Sequence, residues 1–213
     1  MTATTPHLSP KPWLRIWIHP RSTVRELLVA PSGLTIWVLA MVSGIGQSLV
    51  QGAQNNVGAK APVLTILSVS ALVGAIWGLL QLHVLALLLY LVGRWTSGKA
   101  TFQQVRAVIA WAEIPHVVLV ASWLLGTVFF GRLLFVNTEA LGASPPPALL
   151  FGMMLVYLTS LVCLSWSFVI LVQGLAEAQG MSAWKSLGSI LTAGLMLGVV
   201  ALLVVTIAIG VTR

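Results

Sequence analysis

Residues Val63–Gly93 read VLTILSVSALVGAIWGLLQLHVLALLLYLVG, and they carry no charged side chain between Lys60 and Arg94. About 20 apolar residues are enough to cross the hydrocarbon of a bilayer as a helix. A helix is required there because lipid offers no hydrogen-bond partners to the backbone. At about 1.5 Å per residue the stretch is longer than a bilayer is thick, so it predicts either one tilted spanning helix or a tight helical hairpin.

Four further apolar runs surround this one, and each approaches or exceeds the spanning length. They occupy residues 34–51, 107–131, 148–176 and 187–211, and Glu113 and Pro115 break the second of them. Charged residues form only 7% of the chain, whereas a soluble domain carries about 25%. We therefore predict an all-α integral membrane bundle of five transmembrane helices in residues 31–213.

The basic residues distinguish five spans from six. With five spans and a cytoplasmic N-terminus, most Lys and Arg residues lie on the cytoplasmic side, where positive charge is retained. A hairpin within residues 63–93 would divide them almost evenly. The sequence thus predicts five spans, with the N-terminus cytoplasmic and the C-terminus outside. The residues assigned to the cytoplasmic side are Lys11, Arg15, Arg21, Arg25, Arg94, Lys99, Arg106 and Lys185.

The segment before the first span has two parts. Residues 1–11 are polar and contain prolines, and they predict a disordered cytoplasmic tail. Residues 12–30 combine aromatic, apolar and basic side chains, which is typical of short amphipathic helices at the lipid headgroups. The alternative is a plain cytoplasmic linker. The candidate lipid-headgroup contacts are Trp13, Arg15, Trp17, Arg21 and Arg25.

Helix starts are indicated at three places. Thr101 with Gln104 has the capping-box spacing and predicts the start of the third spanning helix. Thr23 with Glu26 has the same spacing and predicts a helix start before the first span. Ser182 is a suitable N-cap for the last helix.

Three segments of the chain match the pattern of a known family in order and in placement. Residues 17–28 read WIHPRSTVRELL, residues 98–106 read GKATFQQVR with AWAEIP at 110–115, and residues 174–182 read GLAEAQGMS. The chain resembles the Yip family (Ypt/Rab-interacting proteins), and most of all its short bacterial members. The resemblance implies a five-helix bundle with a cytoplasmic N-terminus, here in the bacterial inner membrane. Eukaryotic members act in vesicle traffic and bind small GTPases or each other, but this sequence lacks their long polar N-terminal region, so small-GTPase binding is doubtful for it.

Three ionisable side chains fall inside the predicted membrane. His83 and His116 each lie roughly 15 Å inward from the basic connector of helices two and three, and Glu113 is one turn from His116. Two imidazoles and a carboxylate suit zinc, iron or manganese, so one interpretation is a divalent-metal or proton site. The other is a buried hydrogen-bonded trio that orients helices. Apart from that candidate metal, no cofactor is expected.

Other polar and small residues allow further interpretations. Gln173 and Glu177 form a candidate interfacial pair near the cytoplasmic end of helix four, and Ser43 and Gln47 begin a polar stripe on helix one. Two small-residue motifs permit close approach of helices, either inside one bundle or in self-association of two subunits. These motifs are Gly74/Gly78 and Gly194/Gly198.

The sequence shows no phosphate-binding loop, dinucleotide fingerprint or nucleophile elbow, so an enzyme is not expected. No nucleic-acid-binding motif is present, and the net charge of +7 is explained by the membrane-flanking residues. The leading hypothesis is a non-enzymatic organiser that binds lipid or protein partners through residues 12–30 and the bundle. The alternatives are a small ion, proton or metal transporter, and an intramembrane metal enzyme, both at His83, Glu113 and His116.

Overall fold

A computed structural model of the chain describes residues 12–29, 32–137 and 145–211. Within these ranges the regular structure is helical, which confirms the predicted all-α class. The predicted disordered tail, residues 1–11, lies outside the described residues. The α-helices are α1 (Pro12–Ile18), α2 (Pro20–Leu27), α3 (Gly33–Gln54), α4 (Val63–Trp95), α5 (Phe102–Ala112), α6 (Pro115–Phe130), α7 (Pro147–Gln179) and α8 (Ala183–Val211).

The predicted count of five spans is confirmed. Five helical segments in the described residues are long and apolar enough to cross a membrane. Helix α4 is one unbroken helix of 33 residues, so the hairpin alternative for residues 63–93 is wrong. Helices α5 and α6 together form the third span. They are separated at Glu113 and Ile114 because Pro115 has no backbone N–H to continue the ladder of α5.

Two of the three predicted helix starts are confirmed. The Gln104 amide donates to Thr101 Oγ1 over 3.3 Å, and the Thr101 amide donates to Gln104 Oε1 over 2.9 Å. The Lys185 amide donates to Ser182 Oγ over 3.3 Å at the start of α8.

The predicted helix start at Thr23 is wrong, because α2 already begins at Pro20. Proline suits the first helical position, where its fixed φ is helical and its missing N–H is not needed. The Thr23 hydroxyl instead donates to the His19 carbonyl over 2.8 Å. Glu26 turns to Arg15 of α1, with 3.0 Å between Nη1 and Oε1.

Replacing Thr101 by alanine should destabilise the protein by about 1 kcal/mol, because the cap of α5 is lost. Thermal unfolding of the purified protein in detergent would show this as a fall of about 3 °C. Thr159→Ala is the matched control, since the Thr159 hydroxyl only donates to Leu155 of its own helix. If both variants unfold at the same temperature, the Thr101 cap does not stabilise α5.

Helices α3 and α4 approach each other most closely where both carry glycine. A methyl group added at Gly74 would lie 2.7 Å from the Gly44 carbonyl oxygen, and one added at Gly78 would meet the Ala40 carbonyl. The Gly74/Gly78 motif is therefore filled by α3 of the same chain, which is the first of its two interpretations, packing inside one bundle. Gly194 and Gly198 of α8 have no described atom within 4 Å of the added methyl group.

Candidate functional site

The three segments that resemble the Yip family meet at one end of the bundle. We call this end, formed by residues 17–28, 98–106 and 174–182, the junction. It contains α2, the connector from α4 into α5, and the turn from α7 to α8. The junction also carries half of the eight basic residues assigned to the cytoplasm, and we predict that it faces that side.

Ion pairs attach the first segment to the third. Arg25 Nε lies 2.6 Å from Glu177 Oε1, and Arg21 Nε lies 4.0 Å from Glu177 Oε2. Arg21 also donates to the Met181 carbonyl over 3.5 Å. The hydrogen bond that Arg25 donates to Glu177 raises the pKa of the guanidinium, so Arg25 stays charged across the physiological range. One carboxylate thus holds α2 against the end of α7.

Apolar contacts fix the N-terminal helices in the same position. Ile16 is fully buried, and Val24 and Leu27 are buried as well. The ring of Trp13 packs against that of Trp111 in α5, with 5.0 Å between ring centroids. Because Ile16, Val24 and Leu27 belong to the core, α1 and α2 are docked parts of the fold and a plain linker does not describe them.

Gln179 joins the second segment to the third. Its side chain is 2% exposed, and its Nε2 donates to the Leu89 carbonyl over 3.3 Å. The Lys99 amide donates to the Gln179 carbonyl over 3.2 Å. A methyl group added at Gly93 or Gly98 would collide with the Gln179 side chain. The connector therefore closes over Gln179 only because two glycines leave room for it.

Gly174 is the point where α2, α5 and α7 meet. A methyl group placed on it would lie 3.0 Å from Val108 of α5 and 3.2 Å from Val24 of α2. Both neighbours could pack this closely on α7 because Gly174 lacks a side chain. Sequence reasoning did not single out Gly174, although a glycine inside an apolar helix is a signal for close packing.

The residues predicted to contact lipid headgroups have different environments: some form ion pairs, some pack partly against the protein, and some are exposed. Arg15 pairs with Glu26, and Arg25 pairs with Glu177. Trp13 remains 44% exposed, and Trp17 is half-buried. The exposed basic side chains at and beside the junction are Arg21, Arg25, Arg94, Lys99 and Lys185.

The predicted interfacial pair of Gln173 and Glu177 forms no hydrogen bond in the described part of the chain. Glu177 faces Arg25 and Arg21, while Gln173 lines a groove along α7. The small number of acidic residues could have indicated that Glu177 pairs with basic side chains and not with Gln173. The chain has four acidic residues against eleven basic ones. The three acids in the described ranges, Glu26, Glu113 and Glu177, each contact a basic or imidazole side chain.

A second polar site lies inside the membrane-spanning part. His116 Nδ1 is 2.7 Å from Glu113 Oε2, and the Ser43 hydroxyl donates to the same oxygen over 2.9 Å. Ser167 Oγ of α7 is 3.3 Å from His116 Nδ1, and Gln47 Nε2 donates to Ser43 Oγ over 3.3 Å. This network links three spans at the break between α5 and α6.

The structure brings Glu113 and His116 together but does not bring His83 to them. His83 Nδ1 lies 2.8 Å from the Leu79 carbonyl of its own helix, and its ring packs against Trp37. Gln81 takes the inward position and lines a cavity of about 10 Å³ with Ser43 and Glu113, roughly the space of one water molecule. Two residues along a helix rotate the side chain by about 200°, which turns His83 away.

The candidate metal site consequently lacks its third ligand. No group of three or more His, Cys, Asp or Glu side chains that could hold a metal occurs among the residues the structure describes. Glu113 and His116 alone fall short of the three protein ligands that a catalytic zinc ion uses. The arrangement suits hydrogen bonding between helices, and it also offers groups that exchange protons.

Comparison with known proteins supports the family resemblance. A family model described as the Yip1 domain matches residues 14–205, which include the junction and all five spans apart from the last residues of α8. No curated protein and no solved structure matches the chain. Since the family model covers most of the chain, the protein is a multi-pass membrane protein that belongs to the Yip family.

Proposed function

We propose that this protein is a non-enzymatic organiser in the inner membrane of a bacterium, with its N-terminus in the cytoplasm and its junction presented to membrane-associated partners. The observation that carries the proposal is the convergence of three separate family segments on one end of the bundle. Exposed charged and polar residues on a rigid support are typical of binding surfaces.

The chemistry of the junction supports binding. Five basic side chains are exposed at and beside it, while its two acids, Glu26 and Glu177, are already engaged by Arg15 and Arg25. Such a surface attracts anionic lipids and acidic protein segments. The ion pairs and the closure over Gln179 hold the surface in one shape, which lowers the entropy lost on binding.

A photo-crosslinking residue placed at Lys99 or Gln103 should capture protein partners in intact cells, whereas one at Gln54 or Lys60, at the other end of the bundle, should not. All four positions are exposed. Adducts are read by their mass on a denaturing gel and identified by mass spectrometry. Equal capture at Lys60 and Lys99 would remove the reason for placing the binding surface at the junction.

A charge swap between α2 and α7 is a control for the same experiment. Glu177→Arg places three guanidinium groups together, so α2 should separate from α7 and the adducts at Lys99 should fall severalfold. Adding Arg25→Glu restores one opposite-charge pair and should recover most of the adducts. A junction that binds partners equally well in all three proteins would not depend on the docked α2, contrary to the proposal.

A second candidate function is a proton or ion relay through the bundle. The observation that favours it is the network of Gln47, Ser43, Glu113, His116 and Ser167 beside a water-sized cavity. Intramembrane ionisable groups often mark such pathways. Five spans are few for a monomeric carrier, so a relay would require an oligomer.

A further inference from the structure

A groove runs along the surface of α7 on the side of the junction. It consists of two adjoining hollows that share Val169 and Gln173. The first, about 450 Å³, lies between α7 and the start of α2. The second, about 280 Å³, lies between α7 and the start of α8. The groove therefore connects three helices along one face of α7.

The groove extends through about two thirds of one leaflet. From Gln173 to its innermost residue, Trp166, α7 rises by about 10 Å, and Glu177 lies about 6 Å further out. One leaflet contributes about 15 Å of hydrocarbon to a bilayer. The groove thus begins at the level of the headgroups, beside the junction, and ends near the middle of the membrane.

The lining changes from polar to apolar along the same direction. His19, Arg21 and Gln173 lie at the junction end, while Trp166 and Val169 line the inner part. Trp184, at the start of α8, forms the opposite wall and is 82% exposed. Tryptophan is enriched where headgroups meet hydrocarbon, so this lining matches the polarity of a lipid molecule.

The charge at the mouth selects an anion. Glu177 is bonded to Arg25 at 2.6 Å, whereas Arg21 is 4.0 Å away and exposed. Arg21 lines the hollow at its mouth, where one cation attracts an anionic headgroup by about 1 kcal/mol.

The size of the groove argues against a protein occupant. A transmembrane helix is about 10 Å wide with its side chains, and every backbone polar group of an inserted segment needs an internal partner. A hollow of about 450 Å³ is too small for several turns of such a helix. An acyl chain is thinner and has no polar groups to satisfy.

We propose that this groove binds one anionic glycerophospholipid from the leaflet on the junction side. Its phosphate lies at Arg21, and one acyl chain lies against Val169 and Trp166. The proposal deepens the proposed function, since it names a specific lipid ligand of the organiser. It stands on the groove alone and does not require the protein partner.

The test is native mass spectrometry of the full chain, delipidated in detergent and then titrated with phosphatidylglycerol or phosphatidylcholine. We expect one phosphatidylglycerol to bind about fivefold more tightly than phosphatidylcholine. Val169→Trp should abolish this binding because the indole fills the groove. Leu164→Trp is the control, since Leu164 is exposed on another face of α7. Arg21→Gln should remove most of this preference for phosphatidylglycerol without removing the weak binding of phosphatidylcholine.

Equal affinity for the two lipids, or equal loss in Val169→Trp and Leu164→Trp, would overturn the proposal. The melting temperature of each variant shows whether it is folded. If Val169→Trp does not fold, Val169→Phe fills less of the groove and replaces it. Crosslinking at Lys99 separates the two proposals, because an unmodified chain that forms protein adducts at Lys99 but shows no preference for phosphatidylglycerol refutes the groove and leaves the junction intact.

Discussion

Changing Gly74 and Gly78 together to alanine should lower the melting temperature in detergent by about 10 °C. This is a large effect for a change that adds only two methyl groups. The new methyl groups would meet backbone carbonyl oxygens of Gly44 and Ala40. Backbone atoms cannot rotate away as a side chain can, so α3 and α4 must separate along their shared face. Overpacking of this kind costs about 1–3 kcal/mol per site.

The control carries the same substitution in the same sequence motif. In Gly194→Ala with Gly198→Ala, the methyl groups enter space with no described atom within 4 Å. Alanine also favours helix by about 1 kcal/mol over glycine, so the melting temperature should stay the same or rise slightly. If both pairs of changes behaved alike, the close approach of α3 and α4 would not stabilise the bundle.

This contrast shows what the sequence could and could not predict. Gly74/Gly78 and Gly194/Gly198 have the same spacing, so the pattern predicted close packing for both without saying which partner fills them. The five spans were predictable, because the length of an apolar run and the positions of charges follow directly from the bilayer. The choice of neighbour depends on the rotation of each helix about its axis, and lipid-facing and core-facing residues are both apolar.

In the candidate sites, too, some contacts were predictable from the sequence and others were not. Glu113 and His116 were predictable as a pair, since one turn of helix separates them. His83 was placed at the right depth but on the wrong face, because depth follows from residue count alone. The contact of Arg25 with Glu177 joins residues far apart in the chain. No local sequence pattern predicts this ion pair. The composition gives a weaker indication, because in a chain with few acidic and many basic residues each acid has basic partners available.

Replacing Glu113 by alanine should destabilise the protein by about 3 kcal/mol. This is the lower end of the cost of breaking a buried ion pair, because the Glu113 carboxylate is only partly buried. His116 and Ser43 would lose their shared partner, and the bond that Gln47 donates to Ser43 would lose its support. The expected fall in melting temperature is about 10 °C. Glu26→Gln is the control for a surface pair, where removing the charge should cost less than about 1 kcal/mol.

A double-mutant cycle separates the contribution of the Glu113–His116 contact to stability from the effects of removing each side chain by itself. Glu113→Ala with His116→Ala should cost less than the sum of the single changes by about 2 kcal/mol, because the second change removes a partner that is already lost. Additive losses would show that the 2.7 Å contact contributes little to stability. The measurement uses melting temperatures, so it does not depend on any transport activity.

Proton flux into proteoliposomes then distinguishes an organiser from a relay. Glu113→Gln keeps the size of the side chain and can still accept from Ser43, but it cannot exchange a proton. An organiser with a structural network should show no voltage-driven flux above empty vesicles, with or without the carboxylate. Flux in the wild type that disappears in Glu113→Gln and persists in Glu26→Gln would instead identify the network as the pathway. The stability loss in Glu113→Ala would remain, because the same hydrogen bonds join α3, α6 and α7 in both cases.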